Sequence, residues 1–177
     1  YAYYDGIDHV AHERGFGPYF DAELVAADRL VADVAATLPA GAALVVTSDH
    51  GQVEVGERLV SLPEEVQELC EAVSGEGRFT WLHARPGCEA DLVEAARPCV
   101  AGLGWVVTRE EAEAEGWFGG RLSPAAASRL GDVALVACQP VAFVNPSSDA
   151  GSDHPPLRCR HGSLTPEELL VPLVAVG

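Results

Sequence analysis

The chain has 177 residues, of which 48% are hydrophobic and 21% charged, a composition typical of a globular protein and not of a disordered one. The formal net charge is −16 and no Lys is present, so the chain lacks the basic stripe that a nucleic-acid polymer requires of its binding protein. No apolar run approaches the roughly 18 residues of a membrane span, and we expect no span in this segment.

The sequence opens with a predicted strand–helix–strand unit. The apolar and aromatic residues 1–7 favour a buried strand of a parallel sheet. Apolar residues at helical spacing predict a helix over residues 18–38. The continuous apolar run within residues 42–51 predicts a central strand that ends at Thr47-Ser48-Asp49-His50-Gly51. This βαβ order indicates the α/β class.

The middle of the chain has a different pattern, which we interpret as a small α/β lobe over residues 62–145, inserted into an α/β core formed by residues 1–61 and 146–177. The lobe's predicted elements are helices at 61–73, 88–103 and 109–118, strands at 78–85 and 104–108, and a hairpin or two short strands within 132–144. A short helix and a last strand at 170–176 are predicted to end the chain.

The cysteine and methionine contents bear on the cellular compartment of the protein and on whether the sequence is a part of a longer chain. The five Cys are odd in number and form no C-x-x-C pair, which argues against disulfides and favours buried thiols in a reducing, cytoplasmic compartment. No Met is present. We therefore expect these residues to be the C-terminal portion of a longer protein, with the missing N-terminal part as their partner.

Three separate places in the sequence carry side chains of the types that bind divalent cations. Asp8 and His12 are four residues apart, so one helical turn places both on one face. Asp49 and His50 directly follow the second predicted strand, and His161 precedes the last one. Functional groups gather at the carboxyl ends of strands in open α/β sheets. The three places together predict one site of carboxylate and imidazole ligands, which are the ligands of zinc.

These segments resemble a known family. "IDHVAHERGFGP" resembles the Asp-x-x-x-His-x-x-Gly signature of the type I phosphodiesterase/nucleotide pyrophosphatase family of the alkaline phosphatase superfamily. "TSDHG" resembles its Ser-Asp-His-Gly element, and "RHGSLTPEE" is similar to its C-terminal His-Gly element. The resemblance implies the C-terminal portion of an alkaline-phosphatase-like three-layer α/β/α sandwich, with the lobe inserted in it.

The resemblance also implies roles for the candidate ligands. Asp8, His12 and His161 would hold one divalent metal ion, and Asp49 and His50 a second. Zinc is expected, with manganese as the alternative. A rival register would use Asp5 and His9, but Gly15 then no longer falls three residues after the His, as it does in the family.

The implied activity is hydrolysis of phosphodiester or pyrophosphate bonds in small, nucleotide-like phosphorylated substrates, in two steps through a phosphorylated Thr or Ser. The family places that nucleophile far upstream, before Tyr1, so neither Thr47 nor Ser48 is assigned to it and the fragment alone is expected to be inactive. Arg158 and Arg160 either meet a phosphate or are solvated loop charges, and His154 is expected on a surface loop.

Several alternatives stay open. Another activity of the superfamily would fit the same ligands: phosphomonoester hydrolysis, phosphonate hydrolysis or a reaction of the phosphoglycerate mutase type. A non-catalytic relic that only binds metal is a rival of a different class.

Overall fold

The computed structural model describes residues 1–146 and 157–177. Its helices are α1 (Gly6–Arg14), α2 (Pro18–Ala36), α3 (Glu64–Leu69), α4 (Glu89–Val100), α5 (Arg109–Ala114), α6 (Pro124–Ala127) and α7 (Pro166–Leu169). Its strands are β1 (Leu44–Thr47), β2 (Val53–Glu54), β3 (Leu59–Ser61), β4 (Cys70–Glu76), β5 (Phe79–Ala84), β6 (Gly104–Thr108), β7 (Val133–Ala137), β8 (Ala142–Val144), β9 (Cys159–Arg160) and β10 (Leu173–Val176). The mixed α/β class predicted from the sequence is confirmed.

The chain divides into two compact units. Of the described residues, the first contains 1–57, 157–161 and 165–177, and the second contains 58–146 and 162–164. The domain boundaries inferred from the sequence stay a prediction. No helix within 1–146 or 157–177 combines the length and the hydropathy that crossing a bilayer demands.

In the first unit, two short antiparallel pairs bring the end of the chain back to its beginning. β1 pairs with β10, with Val46 opposite Val174, and β2 pairs with β9, with Val53 opposite Arg160. Helix α1 contacts both α2 and β9. These pairings place the segment after β1 and the segment after β9 in the same unit as α1.

Two predictions about this unit are wrong. Residues 1–5 form no strand, and α1 already begins at Gly6. A strand requires a neighbour for its N–H and C=O groups, and among the described residues none pairs with residues 1–5. β1 is not a central parallel strand either, because its partner among the described residues is the antiparallel β10. The predicted helix over 18–38 is confirmed as α2.

The second unit is built on a four-stranded antiparallel sheet of order β4-β5-β7-β6. Helix α4 packs on β6 and β7, and fully buried Leu82, Leu92 and Leu135 lie in the resulting core. The strand run 132–144 forms two strands and not a hairpin, since β8 pairs in parallel with β3. The helix predicted over 61–73 is partly wrong: it ends at Leu69, and β4 begins at Cys70.

Candidate metal centre

Helix α1 presents the first two predicted ligands on one face. The Nε2 atom of His12 lies 3.3 Å from Oδ1 of Asp8, one helical turn away. The neighbouring His9 points elsewhere, because its 69%-exposed side chain lies 3.3 Å from the carboxylate of Glu13. Asp5, the other residue of the rival register, precedes α1 as its N-cap residue. The pair that lies beside the other candidate ligands is therefore Asp8 and His12, and not Asp5 and His9.

The orientation of His12 is fixed by strand β9. Its Nδ1 atom lies 2.7 Å from the backbone carbonyl oxygen of Cys159, and the backbone N–H of Arg158 donates to the carbonyl of His12 over 2.7 Å. A carbonyl oxygen can only accept, so Nδ1 carries the proton and donates it. The lone pair of Nε2 is left facing Asp8.

The turn after β1 orients His50 in the same way. Its Nδ1 atom lies 2.9 Å from the carbonyl oxygen of Gly51, and the hydroxyl of Ser48 donates to the carbonyl of His50 over 2.8 Å. The N–H of Gly51 donates to the carbonyl of Glu168 in α7 over 2.8 Å. The backbone approach is so close that a Cβ on Gly51 would collide with the carbonyl oxygen of Glu167. Gly51 is thus required here for space.

His161 completes the group. Its ring stacks on that of His50, with centroids 3.5 Å apart and an interplanar angle of 11°, and its centroid lies 5.3 Å from that of His12. One ligand atom from each of Asp8, His50 and His161 lies within 4.8 Å of the others. Asp49 lies at the edge of this group, because its side chain is 64% exposed and its Oδ1 is 3.8 Å from Nε2 of His50.

The arrangement fits a divalent cation. Oδ1 of Asp8 faces Nε2 of His12 at 3.3 Å and Nε2 of His50 at 3.9 Å. Two electron-rich atoms at such distances repel each other unless a proton or a metal ion lies between them. Ligands about 2.0–2.1 Å from one zinc ion lie at most about 4.2 Å apart, so only small adjustments are needed. One carboxylate and imidazole nitrogens form a donor set typical of catalytic zinc.

Two neighbours of the site carry no signal in the sequence. The side-chain amide of Gln52 donates to Oδ1 of Asp8 and, over 3.4 Å, to the carbonyl of Asp8. The carboxylate of Asp49 is the main cause that raises the pKa of the exposed Tyr3 phenol above its ordinary value, followed by desolvation and by the charge of Asp8. Tyr3 therefore lies within the electrostatic reach of both carboxylates.

The remaining sequence candidates lie around this group or outside the described residues. Arg158 lies 3.8 Å from the carboxylate of Glu54, so its charge is partly compensated within the unit. Nε of Arg160 is buried and, among the described residues, has no hydrogen-bond partner. His154 lies outside the described residues.

The chain has clear structural relatives. It matches human ectonucleotide pyrophosphatase/phosphodiesterase 5 with a TM-score of 0.69 and 18% identity, over 95% of this chain and 44% of that one. The murine protein, in an inactive form in complex with AMP, matches with a TM-score of 0.66 and 16% identity, over 95% of this chain and 44% of that one. Phosphonoacetate hydrolase from Sinorhizobium meliloti 1021, in complex with phosphonoformate, matches with a TM-score of 0.69 and 24% identity, over 95% of this chain and 43% of that one. A search of curated proteins by sequence finds no match.

These neighbours confirm the predicted alkaline-phosphatase-like α/β fold. The profile of the family described as type I phosphodiesterase / nucleotide pyrophosphatase matches residues 1–163. The chain belongs to that family, as the sequence motifs predict. It spans somewhat less than half the length of the solved structures it matches.

Proposed function

We propose that the protein to which these residues belong hydrolyses phosphodiester or pyrophosphate bonds in nucleotide-like substrates, with two divalent metal ions, zinc or else manganese. Family membership supports hydrolysis of phosphoryl esters in general. The observation that carries the metal dependence is the convergence of Asp8, His50 and His161 within 4.8 Å from three distant parts of the chain.

The proposed ligands divide into two sets. Asp8, His12 and His161 hold one ion, while Asp49 and His50 hold the other. The carboxylate of Asp8, near both His12 and His50, lies between the two sets. Bound divalent cations supply positive charge that offsets the negative charge on the phosphoryl oxygens as the reaction proceeds.

The residues around the ligands have supporting roles in this proposal. Hydrogen bonds to backbone carbonyls hold His12 and His50 as tautomers whose Nε2 is free to ligate. The two hydroxyls that directly precede Asp49 are engaged, since Ser48 donates to the carbonyl of His50 and Thr47 to that of Ser48. We therefore propose that the nucleophile, a Thr or Ser, lies outside these 177 residues, and that the segment alone has little or no activity.

The substrate is proposed to be a small phosphorylated molecule. The murine relative whose structure contains AMP supports a nucleotide. The net charge of −16 disfavours a nucleic-acid polymer. A cytoplasmic location belongs to the same proposal, supported by five cysteines that are all free thiols.

The experiment that tests the proposal uses the full-length protein and the 177-residue segment side by side. Hydrolysis of bis(p-nitrophenyl) phosphate and of the p-nitrophenyl ester of thymidine 5′-monophosphate is followed with and without added zinc or manganese. We expect metal-dependent turnover by the full-length protein and at least a thousandfold loss in Asp8→Ala. Turnover that survives chelation and Asp8→Ala, or strong turnover by the segment alone, would refute it.

A second candidate activity is hydrolysis of a phosphonate. It is favoured by the similarity to phosphonoacetate hydrolase, which has the highest identity of the three relatives described. The same ligand set would serve, because the charge on the phosphoryl oxygens is similar. Release of inorganic phosphate from phosphonoacetate, in the absence of diester hydrolysis, would favour this candidate.

A further inference from the structure

We propose that Gln52 is a positioning residue for the Asp8 carboxylate, and that its amide sets the affinity of the site for divalent metal. This inference rests on the proposed metal-dependent function and deepens it. It concerns a residue that touches a candidate ligand and not the metal ion itself.

The first observation is the contact. The Nε2 group of Gln52 donates to Oδ1 of Asp8, the oxygen that also faces His12 and His50, and to the backbone carbonyl of Asp8 over 3.4 Å. Two hydrogen bonds to one residue fix both the position of the α1 backbone and the rotation of the carboxylate. A carboxylate oxygen has two lone pairs, so Oδ1 can accept from Gln52 and still ligate.

The second observation is the orientation of the amide. Its other atom, Oε1, is buried and has no hydrogen-bond partner among the described residues. Turning the amide over would not solve this, because Oε1 would then face the Asp8 carboxylate and two acceptors would repel each other. In the observed orientation the amide NH₂ group donates to Asp8, while the amide oxygen has no partner among the described residues.

The third observation is the rigid backbone that carries Gln52. On one side is Gly51, whose N–H donates to Glu168. On the other is β2, whose buried Val53 pairs with Arg160 in β9. Strand β9 also holds His12 through the carbonyl of Cys159. Gln52 therefore couples two ligand-bearing segments, the Asp8–His12 helix and the Asp49–His50 turn, through one fixed side chain.

The test compares Gln52→Met, which has nearly the same volume but no donor, with wild type. The matched control is Gln67→Met, because Gln67 is also half-buried and donates to a backbone carbonyl, that of Leu62, in the second unit. Zinc affinity is measured by competition with a chromophoric chelator, and the thermal midpoint is measured on the metal-free chains. Loss of a hydrogen bond to a metal ligand typically lowers affinity 10- to 100-fold.

We expect Gln52→Met to weaken zinc binding at least about tenfold, and Gln67→Met to leave it unchanged. In an Asp8→Ala background, Gln52→Met is expected to change the affinity no further. A role in stability alone would lower the metal-free midpoint without changing the affinity, and that result overturns the inference, as does a loss of affinity that persists without Asp8. If Gln52→Met fails to fold, Gln52→Asn, whose shorter side chain withdraws the donor, is judged by the same criteria.

These outcomes separate the inference from the function on which it rests. Wild-type chain that binds no zinc or manganese would refute the proposed metal dependence, and the inference with it. If the wild-type chain and Gln52→Met bind metal equally tightly, only the role of Gln52 is refuted, and the proposed metal dependence stands.

Discussion

The imidazole rings of His50 and His161 stack at a centroid distance of 3.5 Å with an interplanar angle of 11°. The two residues are separated by more than one hundred positions in the sequence and reach each other through the strand pairs of the first unit. One ligand atom from each ring lies within 4.8 Å of the other and of a carboxylate oxygen of Asp8. The site is thus assembled by tertiary structure and not by any one motif.

Zinc is expected to stabilise the chain through this group. At a free zinc concentration about 100 times the dissociation constant, binding adds about 2.7 kcal/mol to the free energy of unfolding. His161→Ala removes one candidate ligand, so zinc should raise the thermal midpoint of this variant much less than that of wild type. His9→Ala is the control, because His9 is exposed and pairs with Glu13. Equal zinc-induced shifts in the two variants, followed by circular dichroism, would speak against the site.

Gly51 is expected to tolerate no larger residue. In Gly51→Ala the new Cβ collides with the backbone carbonyl of Glu167, and a backbone cannot move aside as a flexible side chain can. Overpacking of this kind costs about 2 kcal/mol. Gly120→Ala is the control, since a Cβ there meets nothing within 4 Å. Urea unfolding of the metal-free chains measures the free energy of unfolding of both variants. Equal values for Gly51→Ala and Gly120→Ala would contradict the close backbone approach at Gly51.

The thiols are expected to differ in reactivity. Burial raises the pKa of Cys70 and Cys159 to about 11, and the thiolate is the reactive form of a cysteine. At pH 8, iodoacetamide should therefore modify the half-buried Cys88 well before these two. Peptide mass spectrometry of time points gives the order. Modification of Cys70 or Cys159 as fast as Cys88 would be incompatible with their burial.

The same two thiols predict a pH dependence of stability. An unfolded thiol loses its proton near pH 9, whereas these folded thiols keep theirs until about pH 11. The folded state therefore binds more protons in this window, and its stability falls as the pH rises from 9 to 11. The free energy of unfolding should decrease less over this range in Cys70→Ala/Cys159→Ala than in wild type. An identical slope in both proteins would disprove the assignment.

Local patterns in the sequence account for the elements that depend on local chemistry. Helical spacing identifies α2, and the four-residue separation of Asp8 and His12 places them on one face of α1. The apolar run that ends at Asp49 and His50 identifies β1. Each of these features needs only a neighbouring turn or a short stretch of chain to form.

The sequence misleads where distant pairing decides. Residues 70–73 have a helical pattern, yet β4 begins at Cys70 because this segment pairs with β5. The aromatic residues 1–5 suggest a strand, but none of the described strands pairs with them. Gln52 gives no signal at all, because its importance comes from Asp8, which lies 44 positions away. Hydrogen bonds of that kind follow from the fold and leave no periodicity in the sequence.

The most direct test of the account is a calorimetric titration of the metal-free 177-residue chain with zinc. We expect saturable binding of at least one equivalent, with the heat of that equivalent lost in Asp8→Ala/His50→Ala/His161→Ala and retained in His9→Ala. Absence of binding by the wild-type chain, or equal binding by the triple variant, would contradict the central claim that these three side chains belong to one metal centre.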